Sequence, residues 1–227
     1  MGEQAVIPLK DDIPSSTFPI VNVLLIITNL FVFGYQLSMG RYVDQFIFTH
    51  AVIPAQIVTV GLTADQFARL TATMFFHGGW LHVLSNMLYL WIFGDNVEDR
   101  MGHFKYLVFY LLTGYMATIA HILSSPASKT PLIGASGAIA GVLGAYLILF
   151  PRARVLTLVF LFIFIPIVPI PAVVFLGIWF FLQILSGTAS LSDQAAQGVA
   201  YWAHIGGFIA GVVMVKLFAT RKQTVRY

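Results

Sequence analysis

Apolar residues fall into six blocks that reach or approach membrane-spanning length, at 20–39, 80–97, 104–124, 136–150, 170–186 and 202–219. A spanning helix needs about 20 mostly apolar residues. The pattern therefore predicts an all-α, polytopic bundle of six transmembrane helices. It divides the chain into an N-terminal segment, 1–18, a membrane domain, 19–220, and a tail, 221–227. The first block, Ile20 to Met39, is too long for a signal-peptide core and has no small-residue cleavage site after it. It reads as the first spanning helix, with no cleavable targeting segment before it. Two stretches depart from the pattern. Residues 40–79 hold Arg41, Asp44, Pro54, Gly61, Asp65 and Arg69, too polar to span and too long for a turn. Residues 155–169 are apolar but are broken by Pro166 and Pro169, with Pro171 just beyond. Proline inside a helix removes a donor and clashes with the preceding turn. An apolar connection dipping into the interface is expected there, with one long kinked helix as the alternative.

Composition agrees with the block pattern. Of 227 residues, 59% are hydrophobic and 9% charged, against about 25% charged in soluble domains; mean hydropathy is +0.87. The chain has no cysteine, which removes disulfides and thiolate metal sites. The net charge of +3 is spread over loops and tails, so nucleic-acid binding has no support. An even helix count puts both termini on one side. Nine of the twelve cations share that side: Lys10, Arg100, Lys105, Arg152, Arg154, Lys216, Arg221, Lys222 and Arg226. The positive-inside rule makes it cytoplasmic. Residues 124–137 and 186–198 are then outer loops.

Polar groups inside spanning segments are costly and point to function. Ser136 lies 16 residues before Arg152, His204 17 before Arg221, and His82 18 before Arg100. At 1.5 Å per residue these are about 24, 25 and 27 Å from the cytoplasmic marker. All three fall in one layer a few ångströms below the outer surface. Asn86 shares the helix face of His82 one turn deeper, and His77 lies five residues before His82, near the outer mouth. Gly137, Gly141 and Gly144 stripe the helix of Ser136, while Gly207 and Gly211 follow His204 on its own face. Small residues at such spacing let helix backbones approach closely.

These residue types suit acyl transfer. Ser136 would attack a peptide carbonyl with His204 as general base. His82, Asn86 and the Ser136 N–H would donate to the oxyanion. No carboxylate is placed to complete a triad, so a Ser–His dyad is expected. The serine is not in a G-x-S-x-G elbow, because position 138 is Ala, and no H-E-x-x-H is present. A three-histidine metal site from His77, His82 and His204, and haem ligation by His82 and His204, are the competing readings. His50, His103 and His121 read as ordinary polar residues.

With these residues placed, the chain resembles the rhomboid family of intramembrane serine proteases over roughly 18–220. The likeness rests on Gly134-Ala135-Ser136-Gly137, the spacing of His77, His82 and Asn86, Ala203-His204-Ile205-Gly206-Gly207, and Gly94-Asp95-Asn96-Val97-Glu98 followed by Gly102. Arg69 matches the arginine of the family's first-loop motif. The resemblance implies cleavage of transmembrane segments of other membrane proteins, in contact with lipid, without metal or cofactor. It implies Ser136 as nucleophile, His204 as base, and His82 and Asn86 in the oxyanion hole. His77, Gly134, Gly137, Gly207, Arg69 and Glu98 are the expected supporting residues. Helix five and 186–198 would form a gate and cap, and 40–79 a membrane-embedded loop. Ala68 stands where the family often has tryptophan. Ala140 stands where many members stack an aromatic on the imidazole, which leaves the orienting group of His204 open, with Tyr201 a candidate.

Two other function classes compete. A catalytically silent rhomboid-like protein that binds membrane clients would usually lack the serine or the histidine, and both are present. A small transporter would show charges within its helices and repeat symmetry, and neither is found. With no organelle-targeting segment or large soluble domain, a prokaryotic plasma membrane is expected, with the site open to the outer face.

Overall fold

In a computed structural model, residues 6–160, 165–190 and 199–219 are described. The apolar blocks become six long helices: α1 (Ile20–Ser38), α5 (Trp80–Met101), α6 (His103–Ser124), α7 (Ser136–Leu149), α8 (Ala172–Ser190) and α9 (Tyr201–Phe218). Between α1 and α5 the polar stretch folds into three short helices, α2 (Val43–His50), α3 (Pro54–Val60) and α4 (Ala64–Ala72), with single 3-10 turns at 40–42 and 73–75. Helices α1, α6, α8 and α9 are long and apolar enough to cross a membrane. Helix α5 carries Asp95, Glu98, Asp99 and Arg100 towards its C-terminal end.

Helix α7 is the axis of the bundle. It is 14 residues long, and every residue from Gly137 to Tyr146 is buried. A helix apolar on all sides must be enclosed, and α5, α6 and α9 pack around it. Helix α5 ends at Gly102, whose φ of +80° stops the helix and starts α6.

Where an apolar connection or a kinked helix was expected, the described residues of 155–169 form strands rather than helix. They supply β2 (Arg154–Val159), which pairs antiparallel with β3 (Ile167–Pro171) and, on its other side, with β1 (Val6–Asp11). The prolines explain the arrangement. Pro8 lies in β1 and Pro169 and Pro171 in β3, all on edge strands, where a missing donor is tolerated; the central strand has none. Helix α8 starts at Ala172, directly after β3. It runs on to Ser190, so 186–190, expected in an outer loop, are helical. The remainder of that cap, 191–198, and the tail from 220 lie outside the described residues.

Residues 11–17 are strapped to the C-terminal end of α5. Ser15 donates to Asp95 at 2.6 Å, and Ser16 and Thr17 each donate to Asp99 at 2.7 Å. Asp11 accepts from Asn96 at 2.8 Å and from the Tyr146 hydroxyl. Burial, opposed by the Tyr146 hydrogen bond and reinforced by the nearby Asp95, pushes the Asp11 carboxyl up from 3.8 to about 6. Such a group favours the folded state fully below its unfolded pKa and loses that contribution as pH rises through its folded one. Thermal melting in detergent should therefore fall between about pH 4 and pH 6 for the natural chain relative to Asp11→Asn. Parallel melting curves for the two proteins would remove Asp11 as the source.

Candidate active site

The site is built where α7 and α9 touch backbone to backbone. A Cβ added to Gly207 would strike the carbonyl of Gly137, one at Gly211 the carbonyl of Gly141, and one at Gly144 the carbonyl of Phe208. Three glycines thus set both the distance and the register of the two helices. Ser136 opens α7 immediately before Gly137, and His204 lies one turn before Gly207 on α9.

This crossing places His204 Nε2 2.8 Å from Ser136 Oγ. The other ring nitrogen, Nδ1, lies 2.8 Å from Oε1 of Gln183 on α8. With the amide oxygen towards the ring, which can only accept, Nδ1 carries the proton and Nε2 accepts from the serine. The Trp179 ring, one turn before Gln183, sits 6.0 Å from the imidazole, tilted by 33°.

Beside Ser136, Gly134 has a φ of +121°, a conformation that side-chain-bearing residues rarely adopt. A Cβ there would also lie 2.7 Å from His82 Nε2 and 3.6 Å from Ser136 Oγ, so both atoms border one small space. His82 Nδ1 accepts a long hydrogen bond, 3.4 Å, from the Gly78 N–H, which leaves Nε2 as the protonated nitrogen facing that space. Behind it, His77 is 2% exposed and its ring lies edge-on to His82 at 5.0 Å. His77 Nδ1 donates to the Phe75 carbonyl at 3.2 Å, and its Nε2 accepts from Asn86 at 3.0 Å. Gln36 of α1 holds the His77 backbone from both sides, accepting from its N–H at 3.0 Å and donating to its carbonyl at 3.2 Å.

Thr73 ties the 40–79 segment to the strand of chain that leads into Ser136. Its hydroxyl donates to the Leu132 carbonyl and accepts from the Val52 N–H, and its own carbonyl accepts from Gly134 at 3.0 Å. Beneath lies a cavity of about 20 Å³ lined by Thr73, Thr118, Gly134, Ser136 and Ala203. That is room for one water-sized molecule.

A family model described as the rhomboid domain matches residues 64–221, well over half of the chain. The chain belongs to the rhomboid family. It is an integral membrane protein, and its fold is the polytopic helical bundle of that family. It is 30% identical over 149 residues to Rhomboid protein 1, mitochondrial, of Saccharomyces cerevisiae, covering 63% of this chain and 40% of that protein. Rhomboid-like protein 11, chloroplastic, of Arabidopsis thaliana is 33% identical over 158 residues, 66% of this chain and 51% of the relative. Rhomboid protease GluP of Bacillus subtilis is 38% identical over 86 residues, 38% of this chain and 16% of that protein. The matches thus span about half or less of these relatives' lengths. Their names include mitochondrial and chloroplastic forms, so the relatives point to no single membrane.

Within this rhomboid the predicted site residues separate into two groups. Ser136, His204, His82, His77, Asn86, Gly134, Gly137 and Gly207 converge. Arg69 pairs with Asp65 at 2.8 Å along α4. Glu98, fully buried, lies 16 residues beyond His82 on α5 and caps α1, accepting from the N–H groups of Val21 at 3.0 Å and Asn22 at 2.7 Å. Its place is structural, at the bundle's other end. His103 joins Glu98 there at 2.5 Å. Both ring nitrogens of His77 are engaged, by Asn86 and Phe75. Sequence reasoning missed Gln36, Thr73 and Gln183. For Gln183 a signal existed: it is the one amide in the apolar run 172–185. The groups that meet the imidazole from α8 are Trp179 and Gln183.

Proposed function

We propose that this rhomboid is an intramembrane serine endopeptidase that cleaves peptide bonds within or beside transmembrane segments of other membrane proteins. The observation that carries the reading is the 2.8 Å contact between Ser136 Oγ and the accepting Nε2 of His204. Such a separation is the one general-base catalysis requires.

The reaction follows from the residues. Ser136 Oγ attacks the substrate carbonyl carbon as its proton passes to His204 Nε2, and the carbonyl oxygen becomes an oxyanion. The His82 Nε2–H, the remaining Nδ2–H of Asn86 and the N–H groups that open α7 are its donors. First-turn N–H groups have no intrahelical partner and sit at the positive end of the helix dipole. The C–N bond then breaks, and His204 hands its proton to the leaving amine. Water attacks the Ser136 ester, giving its proton to His204; the C–O bond to the serine breaks, and Oγ recovers the proton. Atoms and charges balance with no metal or cofactor. Both termini are read as cytoplasmic and the site as open to the outer face, in a prokaryotic plasma membrane. Substrate would arrive from the lipid beside α8.

The test is reconstitution in vesicles with a model transmembrane substrate. Cleavage is expected, together with fluorophosphonate labelling that peptide mapping assigns to Ser136. A chelator should leave the rate unchanged. Substrate binding without cleavage or labelling would favour a silent client-binding rhomboid instead, and loss of activity on chelation would revive a metal.

A further inference from the structure

Gln183 accepts a hydrogen bond from His204, yet it lies on α8, a helix that contributes no reacting group. We propose that Gln183 is the positioning residue of the Ser136–His204 pair: it fixes the imidazole tautomer, so that the place of α8 decides whether the pair can react. The proposal rests on Ser136 and His204 acting as assigned above.

Two opposite edges of one ring are engaged at equal distance, Nε2 with Ser136 and Nδ1 with Gln183, each at 2.8 Å. The orientation of the amide matters. With Oε1 towards the ring, Nδ1 holds the proton and Nε2 is the base. With the amide turned, its NH2 would donate to Nδ1, the ring proton would move to Nε2, and the imidazole would donate to Ser136 instead of accepting. Among the described residues, the titratable side chains that act on His204 are two more histidines, His82 on α5 and His121 on α6. Neither supplies an anion, so a neutral amide sets the tautomer where other serine hydrolases use a carboxylate.

The surroundings favour a dedicated role. Gln183 is 4% exposed in the helix AVVFLGIWFFLQILSGTAS, where a buried amide is costly unless it is hydrogen-bonded. Along α8 the buried residues Phe175, Leu176, Gln183 and Gly187, with Trp179, form the stripe that meets the core and α9, while Val173, Val174, Ile178, Phe181, Leu182 and Leu185 are exposed to lipid. Trp202 Nε1 also donates to the Gly187 carbonyl at 3.2 Å, tying the two helices. A shift of α8 away from α9 by about 1 Å would take a 2.8 Å bond out of hydrogen-bonding range.

The full chain in vesicles provides the test, with Gln183→Leu, which removes the acceptor, and Gln183→Glu, which keeps it and adds charge. In Gln183→Leu, kcat should fall on the order of tenfold to a hundredfold with KM within about twofold, because the amide touches the base and not the substrate. Fluorophosphonate labelling should slow by a similar factor. Gln183→Glu should retain most of kcat and move the acidic limb of the pH–rate profile upwards by about one unit or more, since an anion favours the imidazolium. If Gln183→Leu does not fold, the pH shift in Gln183→Glu carries the test alone. Natural kcat in Gln183→Leu, or equal losses in both variants with no pH shift, would reduce Gln183 to packing and overturn the proposal. Those outcomes presuppose that the natural chain cleaves and labels at Ser136. Should it do neither, the protease reading fails first and this assignment falls with it.

Discussion

Ser136→Ala should reduce cleavage of a reconstituted transmembrane substrate to background and abolish fluorophosphonate labelling. Its Oγ makes the only covalent bond the protein forms in the proposed reaction, and it is the hydroxyl that meets His204 Nε2. His204→Ala should cost nearly as much, with kcat lower by about four to six orders of magnitude, because a serine without its base is a very weak nucleophile at neutral pH. The double variant should be no slower than either single one. Residues that act as one unit lose their whole effect at the first deletion. Additive losses would mean that Ser136 and His204 serve separate steps. A Ser136→Ala variant that still cleaves at the same bond would move the nucleophile elsewhere. Substrate binding should survive in Ser136→Ala, since the hydroxyl removed is small and the α7–α9 crossing does not depend on it.

The residues that made the Ser136–His204 pair legible in the sequence share a depth by residue count. Ser136, His82 and His204 stand on helices expected to run in one direction, and counting residues back from the first arginine past each helix recovers depth. Depth says nothing about lateral distance. The glycines supplied that, since Gly137, Gly207 and Gly211 marked which faces meet, and the two helices indeed touch at their backbones. Gln183 escaped because α8 was read as an apolar block, and a lone amide in such a block does not say which neighbour it faces. Thr73 is equally silent, one hydroxyl among several in the 40–79 stretch, and acquires its role from three partners distant in sequence. The sheet was missed for a different reason. Its central strand pairs with residues about 150 positions earlier, Val6 with Val159, and long-range pairing leaves no local period beyond a short alternation. Read as helix breakers, Pro169 and Pro171 argued correctly against a spanning helix, but edge strands tolerate proline as well as loops do.

Gly207→Ala should inactivate the protein while leaving its helices intact. The added methyl would collide with the Gly137 carbonyl, which is backbone and cannot rotate aside. Helix α9 must then move away from α7, and the residue displaced with it is His204, one turn earlier. Overpacking of this kind costs about 1–3 kcal/mol in stability, an amount a bundle of six long helices withstands. Catalysis is less tolerant, since a misplacement of about 1 Å at the reacting groups can cost around a hundredfold in rate. Circular dichroism should therefore match the natural chain while cleavage and Ser136 labelling both fall by about that factor. Gly177→Ala is the control: it lies on α8, a Cβ there meets nothing within 4 Å, and its activity should be unchanged. An active Gly207→Ala would mean that α9 can shift without parting His204 from Ser136, and the close helix crossing would lose its place in positioning the base. If Gly177→Ala is inactive too, loss would reflect any change to the bundle, and the glycine contact could not be credited with holding the dyad.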